Sequence, residues 1–516
     1  PFNLSNVPLE QSTSVSPNVI IMMDDSGSMD WNMSVAGEDA QGGFVIDNDP
    51  IATSSVRSTT YYYLWDLPNN IFGVTSGNGR ILPTQEEMVD WGYGSNQYGL
   101  WRARSHKYNR LYYNPEVQYT PWVGQDDQNN EYGNADPAAI RLNPRDPFNT
   151  FNILNDHDYY SDNIPRWRTG GGTGDRTVEN LYIPHYYSTP ATAPLAWDDT
   201  HTRVEIRPGN EPFTGGPGRE DCAADDGDPT TCTYAQEIQN FANFFQYYRT
   251  REYAAKNGLG KVVSQLQDIR VGYETINDNR SEPVREMNDL HTEGNKKLLM
   301  DDIYRTNSSG GTPLRRALDR AGRIFSGNHG TDPLLPDPEG FCQQNFTLLF
   351  SDGYWNGSDP WWLGNEDSDN SSSFDGGVYA DGEAETLADV AMHYYERDIR
   401  GTYDDLVPVS QRDRLGAPDG TFPDTGAARM HQHMKTYTVA FGVVGDVDPS
   451  TLPVDPTVPF AWPDPQASPQ GKIDDMLHAA VNGRGQFLSA VNPQELQTAL
   501  EAAFLEFTQA VALGDR

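Results

Sequence analysis

The chain has 516 residues, long enough for more than one average domain. Its 37 Lys and Arg stand against 74 Asp and Glu, a net charge of −37 that argues against a nucleic-acid partner. That balance suits a secreted or cation-capturing surface, or a saline habitat, and no run approaches the roughly 18 apolar residues of a membrane span.

With 36% hydrophobic residues the chain can build a core, and 47 Gly and 36 Pro imply long ordered loops. Pro1-Phe2-Asn3-Leu4-Ser5 lacks the basic start and apolar stretch of a signal peptide, so the sequence reads as a processed or trimmed form. Residues 1–17 read as an extended polar lead-in. Val19-Ile20-Ile21-Met22-Met23 then has the short, apolar, β-branched character of a buried strand. It runs into Asp24-x-Ser26-x-Ser28, a carboxylate and two hydroxyls in a tight turn, which are hard oxygen donors of the kind Mg²⁺ and Ca²⁺ select. By itself this pattern is an ordinary polar turn capping a helix.

No helix follows until residue 235. Residues 31–234 are dense in Asn, Gly, Pro, Asp and aromatics, a composition that folds rather than dangles. Leu111-Tyr112-Tyr113-Asn114-Pro115 and Tyr119-Thr120-Pro121-Trp122 are its most distinctive pieces. Packing of an irregular loop domain is favoured for them over a carbohydrate- or peptide-binding face. Gly170 to Gly174 lacks the lysine of a phosphate loop and reads as a flexible turn. Cys222 and Cys232 flank a short acidic loop and are expected to form a disulfide, leaving Cys342 free and buried ahead of a strand.

From Ala235 the pattern becomes regular. Ile238, Phe241, Phe245 and Tyr248 make one apolar stripe of a helix expected to run on to Lys256 and stop near Asn257-Gly258. Ile269 to Ile276 alternates as a strand. Ser308-Ser309-Gly310-Gly311-Thr312-Pro313 is a glycine-rich loop opening a helix at Leu314. Phe346 to Phe350 is a second buried strand, ending in Ser351-Asp352-Gly353. The insertion that follows, 354–383, carries Asn365, Asp367, Asp369, Asn370 and Asp375, the makings of a second cation loop. Counted from Asp367, the twelfth position holds Val378 rather than the glutamate of an EF-hand, and a solvated acidic loop is the equal alternative. Glu385 to Arg397 is helical, Lys435 to Val443 a strand, Ile473 to Val481 a helix, Gly485 to Ser489 a strand, and Pro493 to Ala510 the closing helix. His431-x-His433 lacks a third ligand and reads as a surface pair.

Strands alternating with helices, without internal repeats, give an α/β fold with a doubly wound, mostly parallel sheet and helices on both faces. Asp24, Ser26, Ser28, Thr312 and Asp352, in this order and context, resemble the metal-ion-dependent adhesion site of von Willebrand factor A domains. The resemblance implies that the two serines and the threonine lie nearest one divalent cation (Mg²⁺, Ca²⁺ or Mn²⁺) and that the two aspartates act largely through water. It also implies a coordination position left open for a partner's carboxylate. One such domain is expected over 1–516, its core at 17–30 and 235–512, interrupted by insertions 31–234 and 354–383.

Asp24 to Met29, Leu111 to Pro115, Asn240-Phe241-Ala242-Asn243, Tyr247 to Arg251, Ser351 to Asn356 and Ile473 to Gly485 together resemble the PilC/PilY-type family of type IV pilus tip-associated adhesins. That resemblance implies an extracellular protein at the pilus tip or outer surface. It would bind a host or abiotic surface ligand and assist pilus assembly through minor pilins. Nothing in these 516 residues resembles the family's C-terminal propeller, so the sequence is expected to be a fragment or a short form, and propeller functions are not carried over. The leading expectation is cation-dependent adhesion; the alternative is a structural pilus-tip scaffold docking minor pilins, with the metal only stabilising the fold. No nucleophile with an adjacent base is visible, and no catalytic residue is assigned.

Overall fold

The computed structural model describes residues 15–34, 61–65, 79–82, 84, 86–87, 99–161, 176–196, 198–357, 360–414 and 428–513. The glycine run 170–174 and most of the polar lead-in lie outside these residues. Six strands form the central sheet: β1 (Asn18–Met23), β2 (Arg270–Thr275), β3 (Ser281–Glu286), β4 (Asn345–Ser351), β5 (Met434–Phe441) and β6 (Arg484–Ala490). Their order is β3-β2-β1-β4-β5-β6, parallel throughout except for the antiparallel edge strand β3. This is a von Willebrand factor A-type sheet.

Alternation along β1 divides the core. Val19, Ile21 and Met23 belong to one apolar cluster and Ile20 and Met22 to the other. Each such side chain contributes about 1.5–3 kcal/mol when withdrawn from water. The first face is covered by α1 (Tyr234–Tyr247), α2 (Arg251–Gln265), α3 (Gly294–Arg305) and α7 (Pro493–Leu513). The second is covered by α4 (Leu314–Phe325), α5 (Leu387–Glu396) and α6 (Pro469–Asn482).

Two readings of the helices are corrected. The helix from 234 does not continue to Lys256: it ends at Tyr247, and Thr250 caps a new helix by accepting the Tyr253 N–H at 3.1 Å. Nor does that helix stop at Gly258. A Cβ at 258 would meet the Leu500 side chain at 3.1 Å, and one at 260 would collide with the Tyr304 hydroxyl. These glycines let α7 and α3 approach α2 closely. The strand β3 and the helix α3 carried no signal that the sequence reading used.

The described part of 31–234 holds short hairpins and loops and, contrary to the expectation of no helix before 235, a short α-helix at Glu220–Asp226; much of it packs on α1. Tyr112, Tyr113, Tyr119 and Trp122 are buried in the first cluster, so they are core and present no ligand-binding face. Tyr113 stands 5.0 Å from Phe241 and Trp122 stacks on Tyr304 at 4.8 Å. The grip is also polar. Asn240 accepts the Tyr119 N–H at 2.7 Å and donates to the Val117 carbonyl at 2.8 Å. Asn243 accepts the Ala135 N–H and donates to the Tyr119 carbonyl, each at 2.9 Å, and Gln246 accepts the Arg141 N–H at 2.8 Å. Spaced by three, these side chains form one polar stripe along α1 that holds insertion backbone. Cys222 and Cys232 are joined in a disulfide, whereas Cys342 is only half-buried, because it sits in a single helical turn before β4 rather than in the strand.

Candidate metal centre

The strand ends set the geometry. β1 and β4 are neighbours with Met23 opposite Phe350, so Asp24 and Ser351 leave the sheet side by side. Strand order reverses here, and open α/β sheets form their ligand crevice at such a point.

Asp24 is fully buried. Its Oδ1 accepts the Ser26 N–H at 2.7 Å and its Oδ2 the Ser351 hydroxyl at 2.5 Å. Ser26 Oγ lies 3.0 Å from Ser28 Oγ, which donates to Asp352 Oδ1 at 2.9 Å. Oxygens from two loops are thus spaced as neighbouring ligands would be in a six-oxygen shell around Mg²⁺, whose metal–oxygen distances are about 2.1 Å. The donor set fits a hard divalent cation.

Thr312 joins from the third loop. Gly310, at φ +95°, adopts the left-handed conformation open to glycine, and its carbonyl accepts the Gly27 N–H at 3.2 Å. Thr312 is clasped by Asn356: its N–H donates to Asn356 Oδ1 at 3.0 Å and its carbonyl accepts the Asn356 N–H at 2.9 Å. Asp25 ties the same loops together, accepting from Asn277 (3.0 and 2.8 Å) and Asn279 (2.6 Å) and, through its carbonyl, from Ser309 N–H at 2.6 Å. Asp24, Ser26, Asp352 and Thr312 are buried; Ser28, Gly310, Gly311 and Asn356 form the solvent-facing rim.

Charge is concentrated beneath this rim. Burial, and then the nearby Asp352, push the Asp24 carboxyl up to about 7. Burial and Glu252 likewise raise Asp30 well above the usual carboxylate range. The counter-charge is one that the sequence reading did not single out. Arg251, at the start of α2, donates to Asp352 Oδ2 at 2.9 Å and to the Met33 carbonyl at 2.9 Å, with its guanidinium 5.1 Å from the Trp31 ring. Both side chains of the Arg251–Asp352 pair are buried. An arginine in the first turn of a helix carries no mark of that role, since its partner lies about a hundred residues away. Ser351 and Asn356 were likewise visible only as members of a motif.

Of the five residues expected to make a second cation loop in 354–383, Asn365, Asp369, Asn370 and Asp375 are each occupied separately. Asn365 donates to the Asp381 and Glu383 carbonyls (3.2 and 2.6 Å), Asp369 accepts the Ser371 N–H (2.7 Å), and Asp375 accepts the Ser372 hydroxyl (3.0 Å). Asp369 and Asp375 thus serve local turns, close to their own backbone, whereas Asn365 bridges to the far end of the loop. Only Asp367 turns inward, toward Asp381 and His478. The surface reading of the 431/433 histidine pair is also corrected. His433 is buried against Asp413 and Lys435, and burial lowers its imidazole to about 3. Asp413 and Lys435 pair at 2.7 Å.

Beside the Thr312 loop lies a cleft of about 660 Å³, lined by Asn277, Pro313, Arg316, Arg320, Arg323 and Trp361 among others. Asn277 reaches the rim by donating to the Gly311 carbonyl at 2.9 Å, and Trp361 is 83% exposed.

No family profile matches the chain. It is 26% identical over 534 aligned positions to the type IV pilus biogenesis factor PilY1 of Pseudomonas aeruginosa, covering 96% of this chain and 38% of that protein. A PilY1 from another strain of that species is 30% identical over 306 positions, or 52% of this chain and 26% of that protein. The chain is a relative of the PilY1 proteins. It spans less than two fifths of the length of these PilY1 relatives. Among solved structures it is similar to the pilus adhesin SpaC of Lactobacillus rhamnosus GG, at 9% identity and a TM-score of 0.25 over 51% of this chain and 28% of that one. It is also similar to the von Willebrand factor domain of the type V pili tip protein Mfa5 of Porphyromonas gingivalis, at 10% identity and a TM-score of 0.22 over 50% of this chain and 88% of that one. Among the described residues, no helix is long and apolar enough to cross a membrane.

Proposed function

We propose that this chain is a pilus-associated binding domain, displayed outside the cell, that engages a partner through one divalent cation (Mg²⁺, Mn²⁺ or Ca²⁺). The observation that carries the reading is the convergence of Ser26, Ser28 and Asp352 oxygens, about 3 Å apart, at the switch point of the sheet. Ser26, Ser28 and Thr312 would hold the cation, with Asp24 and Asp352 behind them. A bound cation supplies an electrophilic point at which a carboxylate of the partner can bind. The residues around it do the rest. Arg251 fixes Asp352, Asp25 and Asn356 hold the loops in register, and the cleft offers a partner a partly aromatic wall of mixed charge, in which Trp361 is exposed, Arg320 is paired with Glu274 and Arg323 with Asp319. The similarity to a type IV pilus biogenesis factor makes minor pilins or a host or abiotic surface the partners to test. No enzymatic step is proposed.

The test is calorimetry with Mg²⁺, Mn²⁺ and Ca²⁺ on the parent chain and on Asp24→Ala. Binding by the parent that the variant loses supports the reading; equal binding by both removes it. A second reading is a scaffold that docks minor pilins with the cation only stabilising the loops. It draws on Arg251, which already neutralises Asp352 within the chain. On that reading EDTA lowers the melting temperature and leaves pilin capture intact, whereas the adhesion reading loses capture.

A further inference from the structure

Where the 360–386 loop crosses α6, a different set of donors meets. Asp367 and Asp381 come from the loop and His478 from the helix, their ligating atoms all within 4.8 Å of one another. His478 Nε2 donates to the Tyr379 carbonyl at 2.7 Å, which points Nδ1 at Asp381 Oδ2, 3.3 Å away. Trp462 stacks on the ring at 4.0 Å and closes one side. Each carboxylate is also oriented by a second contact. Asp367 Oδ1 accepts the Asp381 N–H at 3.1 Å and its Oδ2 accepts Asn482 Nδ2 at 2.9 Å, while Asp381 Oδ1 accepts the Glu383 N–H at 2.8 Å. An imidazole whose far nitrogen is anchored on a carbonyl, beside carboxylates that are themselves hydrogen-bonded, is how proteins orient metal ligands.

Two further observations point to an absent guest. Asn482 is fully buried, its amide touches Asp367, and its Oδ1 has no hydrogen-bond partner among the described residues. A buried acceptor left in that state loses its hydration without a replacement. Charge is also out of balance. Asp389 and Asp475, buried nearby, are occupied in capping α5, through Thr386 and Glu366 N–H for the first and Leu387 and Ala388 N–H for the second. Arg484 directs its guanidinium to the carbonyls of Asn482 and Phe374. The imidazole therefore faces several carboxylates in a water-poor setting.

We propose that Asp367, Asp381 and His478 form a second metal site, for a borderline transition-metal dication, Zn²⁺ first, that fastens the 360–386 loop to α6. One nitrogen and two carboxylate oxygens favour Zn²⁺ or Mn²⁺ over Ca²⁺ and Mg²⁺, which prefer oxygen alone. Asp381 is partly exposed as a residue, but its side chain, like those of Asp367 and His478, is almost wholly buried, so the donors are enclosed. The site shares no residue with the rim cluster, so it stands or falls separately from the adhesion reading.

The experiment uses the full chain, stripped of metal, carrying Asp24→Ala so that the rim cluster is disabled. Zn²⁺ calorimetry is expected to give one equivalent, and adding Asp381→Asn is expected to weaken binding at least tenfold. No Zn²⁺ binding in the Asp24→Ala chain, or unchanged binding on adding Asp381→Asn, overturns the proposal and leaves a proton on His478 as the only counter-charge. If Asp381→Asn proves misfolded by circular dichroism, pulsed EPR of Mn²⁺ bound to the Asp24→Ala chain decides. A ¹⁴N coupling from imidazole supports the site, and its absence overturns it.

Discussion

Each of the two clusters contains a pair of aspartates, and they differ in what completes and holds them. At the rim, the ends of adjacent parallel strands deliver Asp24 and Asp352, and a buried arginine fixes the second. At α6, a long loop folds two aspartates onto a histidine, and the loop's own turns do the positioning. The rim therefore inherits its geometry from the sheet and offers oxygen donors to solvent. The α6 cluster depends on its own contents, is more enclosed, and includes nitrogen. A charge that never titrates supports one; the other has only an imidazole.

The largest effect expected from breaking this contrast is at Arg251. Arg251→Ala leaves Asp352 buried and unpaired and is expected to cost about 3–5 kcal/mol in urea unfolding. Adding Asp352→Asn to that variant should recover part of the loss. A loss no larger than that of a surface substitution would mean that the sheet alone holds the rim.

Acid should act on a third buried charge group, His433 beside Asp413 and Lys435, which serves as a control for both clusters. The folded-state imidazole, near 3, lies below its unfolded value of about 6.5, so the unfolded chain takes up the proton first. Stability is intact above about pH 6.5 and is lost as pH falls toward 3, by up to about 1.4 kcal/mol per pH unit. Asp413, held below the usual carboxylate range by Lys435 and His433 despite its burial, adds a loss in the same direction below about pH 4. His433→Gln should flatten the slope between pH 6.5 and 4 in denaturation series.

At Asp24 the stability effect should be smaller. Asp24→Ala removes the acceptor for Ser26 N–H and Ser351 Oγ but also relieves the repulsion with Asp352, so the loss should stay under about 2 kcal/mol while cation binding disappears. Trp361→Ala, at the exposed edge of the cleft, should change stability by no more than about 0.5 kcal/mol. It should nonetheless weaken capture of an acidic partner, measured by surface plasmon resonance.

Much of the sheet was legible because burial on both faces writes short, largely apolar runs, as in β1 and β4, and β-formers such as threonine, tyrosine and valine mark β5. The rim was legible because its aspartates sit directly after two of those runs. Gly258 misled because a glycine inside a helix has the local signature of a stop, and its reason, the Leu500 contact, lies in a helix far along the chain. β3 is an exposed edge strand without an apolar run, and proline at 283 disguises it further. Nothing near His478 in the sequence marks it as a donor, because its aspartates are supplied by a loop about a hundred residues earlier. Asp369 and Asp375 misled for the opposite reason: closely spaced acids in a loop serve their own turns first.

The polar stripe on α1 has a consequence for how the long insertion can be rewritten. Asn240, Asn243 and Gln246 read main-chain amides and carbonyls, groups that nearly every amino acid presents alike. The stripe therefore works mainly as a docking rail for a backbone path, with side-chain hydrogen bonds to the Tyr113 hydroxyl and Asn134 added. Solvent-facing positions between Val117 and Arg141 are open to extensive exchange, by graft or library, provided the path and its buried rings are kept.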